Sequence, residues 1–448
     1  MRVVGALLLT LSGVTPASSV FVAVPQLISQ AGTGAFLAMV LAGLLAVPVA
    51  YVYAELSSAF PIAGGEYCMV GRTLGPAAGF AVLGVTVMGN MLGPTVLALG
   101  ASTYLAPIVP GLDARVVAIA IIALATLSGI LHIRTNAWVT GVFLLLELSA
   151  LAALTVLGFL HVSRPLSEMA LHPVVISGGT LAPTSLAAIG LATSAAIYAF
   201  NGYGAACYFA EEMHEAPRVV AHTILWALVV TVVSELIPTI AVLVGATDMH
   251  SLLTSQNAFG DFLRARGGDA FNTIISLSVA LAIINAVLAL VLQNGRFFYS
   301  TGRDNAWTNR VNALFTITHV RFHSPWVATL AAGISAIAVC YVPLEFLLVL
   351  TGAGFAITYV AVSLAALVGR WRGTSSHAAY RMPFFPWLPL SGLVALFYVM
   401  YTNWLDPASG RLSLIINFIV IVASLAYYHV FLRRRGEWVL RGPDDAAG

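Results

Sequence analysis

The sequence predicts an all-α membrane protein of about twelve spanning helices, and three observations predict it. Hydrophobic residues make up 60% of the 448-residue chain and charged residues 8%, with a mean hydropathy of +0.94. A water-soluble domain carries about 25% charged residues. The apolar residues gather into runs near 4–29, 34–60, 76–108, 112–132, 137–161, 184–210, 219–245, 269–301, 324–343, 344–369, 385–402 and 412–432. A bilayer crossing needs roughly 20 such residues. The arginines are uneven between the joints. Counted from a cytoplasmic N-terminus, Arg115, Arg164, Arg264, Arg266 and Arg411 fall outside and the other 15 of 20 inside. That bias orients membrane proteins. An even number of spans then puts both termini on the cytoplasmic side of the cell membrane.

The first run, 3–28, opens like a cleavable signal, with Arg2, an apolar stretch and Ala17-Ser18-Ser19. Its apolar character continues past Ser19 to Ile28, which a cleaved leader does not need, so it reads as a retained first span. The joints near 162–183, 246–268 and 303–323 are long, and no soluble domain is inserted. The joint 246–268 carries Leu252, Leu253, Phe259, Phe262 and Leu263 among polar residues. It reads either as a short interfacial helix on the outer face or as an irregular loop. Arg433-Arg434-Arg435 anchors the last span, and 433–448 is a cytoplasmic tail with a disordered end.

Two spans are interrupted. Thr15-Pro16-Ala17-Ser18-Ser19 breaks the first, because proline lacks an N–H and clashes with the preceding turn. Tyr198-Ala199-Phe200-Asn201-Gly202-Tyr203-Gly204 breaks the sixth with two glycines and an asparagine, poor helix formers. Both breaks also occur as ordinary packed kinks. At corresponding places in two halves of a chain, they point to a transporter's binding site. Unwinding is expected around 16–19 and 200–204. The N–H groups of Ala17, Ser18 and Ser19, at the positive end of the outer half-helix, suit a substrate carboxylate. The carbonyls of Ala199 and Phe200 suit an ammonium. Asn201 and Gly202 form the break, and Phe200 and Tyr203, with Tyr198, are candidate pocket walls.

Other polar residues divide between function and packing. Asn90 and Asn285 are lone amides in apolar runs, where interhelical bonds commonly serve packing alone. Glu211, Glu212 and Glu215 follow the sixth span and need partners, with Arg72, Arg218 and Arg303 as candidates for an inner gate. Glu55 and Glu66 read as structural. His319 and His323 have ligand-compatible spacing but no further ligands. Three scattered cysteines show neither a metal spacing nor a disulfide framework. No metal, cofactor or nucleic-acid partner is expected. The expected partners are a small-molecule substrate, a coupling ion and the lipid bilayer.

Three stretches together carry a resemblance. They are Tyr53-Ala54-Glu55-Leu56 through Phe60-Pro61-Ile62-Ala63-Gly64-Gly65-Glu66-Tyr67; Gly202 followed by Glu211-Glu212-Met213-His214-Glu215-Ala216-Pro217-Arg218; and Arg296-Phe297-Phe298-Tyr299 through Arg303-Asp304. In order and position they resemble the amino acid–polyamine–organocation transporter superfamily. The resemblance implies a LeuT-type fold: spans 1–5 in residues 1–161, spans 6–10 repeated upside-down in 184–370, and two accessory spans in 385–432. It implies uptake or exchange of amino acids or related amines by alternating access; an embedded enzyme is not expected, since the spans carry no HExxH and no Ser–His pairing. The chain departs from the family pattern at Ala17-Ser18-Ser19-Val20-Phe21, where both usual glycines are replaced, and at Asn305-Ala306-Trp307-Thr308.

Glu147 lies within Leu144-Leu145-Leu146-Glu147-Leu148, in the fifth span. An intramembrane carboxyl is costly and marks function by default. By resemblance it falls where many proton-coupled members carry a lysine that stands in for sodium. This chain has no lysine. Glu147 therefore reads as the carrier of a coupling proton; the alternatives are a metal-cation site with first-span oxygens and Asn285, or a hydrogen-bonded structural acid. The leading function is a proton-coupled amino acid transporter. A polyamine or other organic-amine carrier would use an acid such as Glu235 in the cavity. A non-transporting receptor on the same fold is the reading from another class, and without lysine no GxxxxGK[ST] nucleotide loop exists.

Overall fold

Apolar length and breaker residues set the helix boundaries. A computed structural model describes residues 3–62, 64–106, 108–109, 111–130, 137–255, 257–322, 324–436, 438 and 440. The helices are, in order, α1 (Val3–Val14), α2 (Pro16–Ala31), α3 (Ala35–Ala59), α4 (Glu66–Leu74), α5 (Pro76–Leu105), α6 (Ala114–Ile130), α7 (Ala137–Leu160) and α8 (Leu166–Leu171). A hairpin of β1 (Val174–Ser177) and β2 (Thr180–Pro183) follows, then α9 (Leu186–Phe200) and a 3-10 segment, Tyr203–Glu212. The rest are α10 (Ala216–Gly245), α11 (Met249–Thr254), α12 (Ala258–Gly267), α13 (Asp269–Arg303), α14 (Asn309–Phe315), α15 (Trp326–Val339), α16 (Leu344–Trp371), α17 (Trp387–Leu405) and α18 (Gly410–Tyr427).

Among the described residues, nine helical stretches are long and apolar enough to cross a membrane, and α6 and α15 are shorter apolar helices. One of the nine, Pro16–Ala59, contains both α2 and α3, joined by the tight turn Gly32–Gly34. Nine and two make eleven, and dividing that stretch gives twelve spans. The protein is an all-α multi-pass membrane protein. Span one is α1 with α2, and span six is α9 with the 3-10 segment.

The long joints hold structure that composition did not reveal. The β1–β2 hairpin pairs Val174 with Pro183 and Ser177 with Thr180, and its Val174 N–H donates to Thr33 Oγ1 at 2.9 Å. Joint 246–268 is neither an irregular loop nor a single surface helix. It forms α11 and α12, and Leu252, Leu253, Phe259, Phe262 and Leu263 are all buried. Their apolar faces cover the end of the helix bundle, where burial is worth about 25 cal/mol per Å². The tail beyond 440 lies outside the described residues.

At the other end, one ion pair ties the second and tenth spans together. Arg370 Nε and Nη2 donate to Glu55 Oε1 and Oε2 at 2.7 and 2.6 Å. The Met382 N–H adds a third donor to Glu55 at 2.8 Å, and the Arg370 guanidinium sits 4.4 Å over the Phe385 ring. Glu55 is 1% exposed, so this arginine is its partner out of reach of water. Arg370→Ala leaves a buried carboxylate unpaired, a loss of about 3–5 kcal/mol. Thermal unfolding in detergent checks this: Arg370→Ala should melt well below the parent and Arg370→Lys in between, since lysine keeps the charge but not the two-pronged geometry.

Candidate functional site

Each interruption follows from its local sequence. Pro16 stops α1 from running on, and the chain turns at Thr15 with φ 48° and ψ 66°. The break therefore falls one residue before Pro16, not across 16–19 as expected. Proline is well placed in a helix's first turn, and Pro16-Ala17-Ser18-Ser19 form that turn of α2. One consequence is that the Ser19 N–H already donates to Thr15 O at 3.1 Å. In the sixth span, α9 ends at Phe200 and Asn201 is extended, with φ −67° and ψ 148°. Gly202 has φ 122°, a conformation glycine adopts at little cost.

The two breaks touch. A Cβ on Gly202 would lie 2.8 Å from Val14 Cγ2 and 3.1 Å from Val14 Cα. Beside this contact opens a cavity of about 140 Å³. Thr15 and Ser19 line it from the first span, and Tyr198, Asn201, Gly202 and Tyr203 from the sixth. Of the residues read from sequence as substrate-binding, Ser19, Asn201, Gly202 and Tyr203 line it. Ala17, Ser18, Ala199 and Phe200 are buried behind its wall. A one-residue shift of the first break rotates Ala17 and Ser18 away from the opening.

Aromatic side chains frame the opening. Tyr53, Tyr203 and Tyr359 pack as a triad with ring centroids 5.9–6.4 Å apart. The Tyr359 hydroxyl donates to Asn201 Oδ1 at 2.9 Å, holding the unwound residue. Below them Glu66 accepts from Tyr53 at 3.1 Å and from Tyr208 at 2.5 Å. Glu66, read from sequence as structural, lines the cavity and is the one ionisable side chain of Asp, Glu, Lys, Arg or His type among the described lining residues. Next to Glu66 on α4, outside the spans, burial holds the Tyr67 phenol well above its ordinary pKa, and it donates to Asp304 Oδ2 at 3.2 Å.

Toward the α11–α12 end the path is filled. Phe21 packs edge-on against Tyr104 and Phe259 at 5.2 and 5.6 Å. The Tyr104 hydroxyl donates to Phe21 O at 2.6 Å. All three side chains are essentially inaccessible. The lining thus extends from the breaks toward Glu66 and Tyr208, the end that carries α4, and not toward this seal.

The remaining sequence candidates separate. Glu147 is 2% exposed, lies outside the cavity, and faces the Ala17 backbone N–H. Asn285 does not line the cavity. Asn294 on the same helix does, and its Nδ2 donates to Asn90 O at 2.5 Å. Both Asn285 and Asn294 were visible as amides in an apolar run, but only helix rotation decides which faces inward. The Glu211 and Glu212 side chains and His323 lie outside the described residues. Glu215 is exposed, with no ion pair among the described residues. His319 Nδ1 accepts from the N–H groups of Arg321 and Phe322, a local turn.

A sequence profile of the amino acid permease family matches residues 2–426. The chain belongs to this family. It is 24% identical to the branched-chain amino acid permease BcaP of Bacillus subtilis (strain 168), over 97% of this chain and 94% of that protein. It is 23% identical to the methylthioribose transporter of the same organism, over 89% of this chain and 86% of that one. It is 24% identical to the human Asc-type amino acid transporter 1, over 95% and 81%. The permease family explains the constellation: a transport protein, not an enzyme, with its polar cavity at facing helix breaks. Gly202→Ala forces a side chain onto Val14 at a backbone angle that alanine resists. Uptake in membrane vesicles should fall by about tenfold or more, with insertion and monodispersity like the parent's.

Proposed function

We propose that this permease moves amino acids across the cytoplasmic membrane by alternating access, coupled to protons through Glu147. The observation that carries the reading is the contact of two broken spans at a small polar cavity. The positive end of α2 suits the substrate carboxylate, through the N–H groups at Ser18 and Ser19 once the first span shifts. The free carbonyls at the end of α9, Ala199 and Phe200, suit the ammonium. Tyr203 and the neighbouring phenols bound the side chain. A cavity of this size fits a single amino acid.

The five-plus-five repeat, 1–161 against 184–370, accords with breaks in the first and sixth spans, and the arginine bias supports cytoplasmic termini. In that orientation the cavity points inward and the Phe21–Tyr104–Phe259 seal outward. Glu147 sits beside the first turn of α2, so its charge bears on the half-helix that meets substrate. That proximity supports a coupling role over a purely structural one.

One observation favours a second reading. Glu66 places a carboxyl in the cavity, which suits a polyamine or other organic amine. Purified protein in proteoliposomes decides between them. On the main reading, an inward pH gradient without sodium drives accumulation of an amino acid. Glu147→Gln abolishes that accumulation and preserves counterflow exchange, and the decarboxylated amine competes poorly. Equal competition by the amine transfers the substrate to the second reading. Unchanged accumulation in Glu147→Gln removes Glu147 as proton carrier.

A further inference from the structure

Glu235 is the most anomalous side chain in the protein. It lies two-thirds of the way along α10, is 0% exposed, and neither carboxyl oxygen has a hydrogen-bond partner. Glu147 Oε2 on α7 is likewise buried and unpartnered. The two carboxyls are close enough to interact electrostatically. The helix packing accounts for it. A Cβ on Gly158 of α7 would run into the Ala241 carbonyl of α10, and one on Gly245 would lie 2.7 Å from Gly158 Cα. The spans run the same way, so about three turns back along each, Glu147 comes level with Thr231 and Glu235. Thr231 Oγ1, one turn from Glu235, is also buried without a partner. So is Ser18 Oγ, next to the Ala17 N–H that Glu147 faces.

Among the described residues, no basic side chain on the helices packed against Glu235 reaches it. Among the described residues, α2 carries no ionisable side chain, α7 only Glu147 and α9 only Tyr198, which senses Glu235. From α3 come Tyr51, Tyr53 and Glu55, the last held by Arg370. The 3-10 segment brings Tyr203, Cys207 and Tyr208, and Tyr208 is bound to Glu66. Arg218 and His222 of α10 lie at its far end, 13 or more residues and about 20 Å from Glu235. Arg266 of α12 donates to the Gly245 carbonyl, ten residues and about 15 Å from Glu235 along α10, and Arg296 of α13 lies eleven residues beyond Asn285.

Two adjacent carboxylates cannot both stay ionised in such surroundings, because desolvation and mutual repulsion act together. The surroundings also distinguish them. Glu147 has an N–H and the positive end of α2 to stabilise a charge; Glu235 has no donor. We infer that Glu147 and Glu235 form a two-carboxyl site holding one proton in this conformation, with Glu147 as the carboxylate and Glu235 as the acid. A second proton arriving at Glu147 Oε2 neutralises the pair and releases the charge that holds the start of α2. Its part in transport rests on the coupling reading above; the shared proton does not.

Infrared spectroscopy of the purified protein at neutral pH, with carboxyl-isotope-labelled glutamate, tests this. Glu55 is paired with Arg370 and Glu66 accepts from two phenols, so Glu66→Gln serves as the control that leaves the signal in place. The parent should show one protonated buried glutamate signal, absent from Glu235→Gln and kept in Glu147→Gln. No signal in the parent, two signals, or a signal lost with Glu147→Gln and kept with Glu235→Gln overturns the assignment. Loss of the parent signal on adding sodium at constant pH also overturns it, in favour of a metal cation. If Glu235→Gln fails to insert, the signal count in the parent and in Glu147→Gln still decides. A signal pattern as stated, together with unaltered pH-driven uptake in Glu147→Gln, keeps the proton pair and discards only the coupling role.

Discussion

The structure depends on the close approach of Val14 and Gly202. A helix broken inside a bilayer exposes backbone groups that hydrocarbon cannot satisfy, at several kcal/mol each. Two breaks in contact across a polar cavity reduce that cost together. Gly202 has no side chain to hold them apart, Pro16 starts the second half-helix with no N–H to strand, and Tyr359 binds the amide of the unwound Asn201. The remaining packing keeps this contact in place. The aromatic seal of Phe21, Tyr104 and Phe259 closes one side. The Glu55–Arg370 clamp fixes the span ends on the other.

The acids in and beside the spans meet different fates, and neighbours decide which. Glu55 has a two-pronged arginine and a backbone donor, and serves as a structural tie. Glu66 has two phenol donors and an opening to the cavity. Glu147 faces a backbone N–H at the positive end of α2, and neither oxygen of Glu235 has a hydrogen-bond partner. The absence of lysine sharpens the contrast. Arginine is always charged and cannot become a neutral stand-in, so on the proposed coupling reading the titrating group is a carboxyl.

The fold was legible because hydrocarbon imposes a length and a composition on every span. The positions of the breaks were legible to within a residue or so, because proline and glycine act locally. The face each residue presents was not. Proline's acceptance in a first turn moved the opening from Pro16 to Thr15, which took Ala17 and Ser18 out of the cavity and left Ser19 in it. The same limit separates Asn285 from Asn294, nine residues apart on one helix. Glu66 read as structural, and only the fold brings Tyr53 and Tyr208 to it. The meeting of Glu235 with Glu147 depends on the register of two helices that touch at Gly158, a long-range fact with no local signal.

The central claim is that substrate binds where the two breaks meet. Thiol labelling of Ser19→Cys in membranes tests it most directly, since Cys68, Cys207 and Cys340 are buried. Ser19 lines the cavity, so the new thiol should react with a small polar reagent, and the transported amino acid should slow that reaction by about tenfold at concentrations that saturate uptake. A Ser19→Cys protein that still exchanges the amino acid but whose labelling rate the amino acid leaves unchanged would contradict the account.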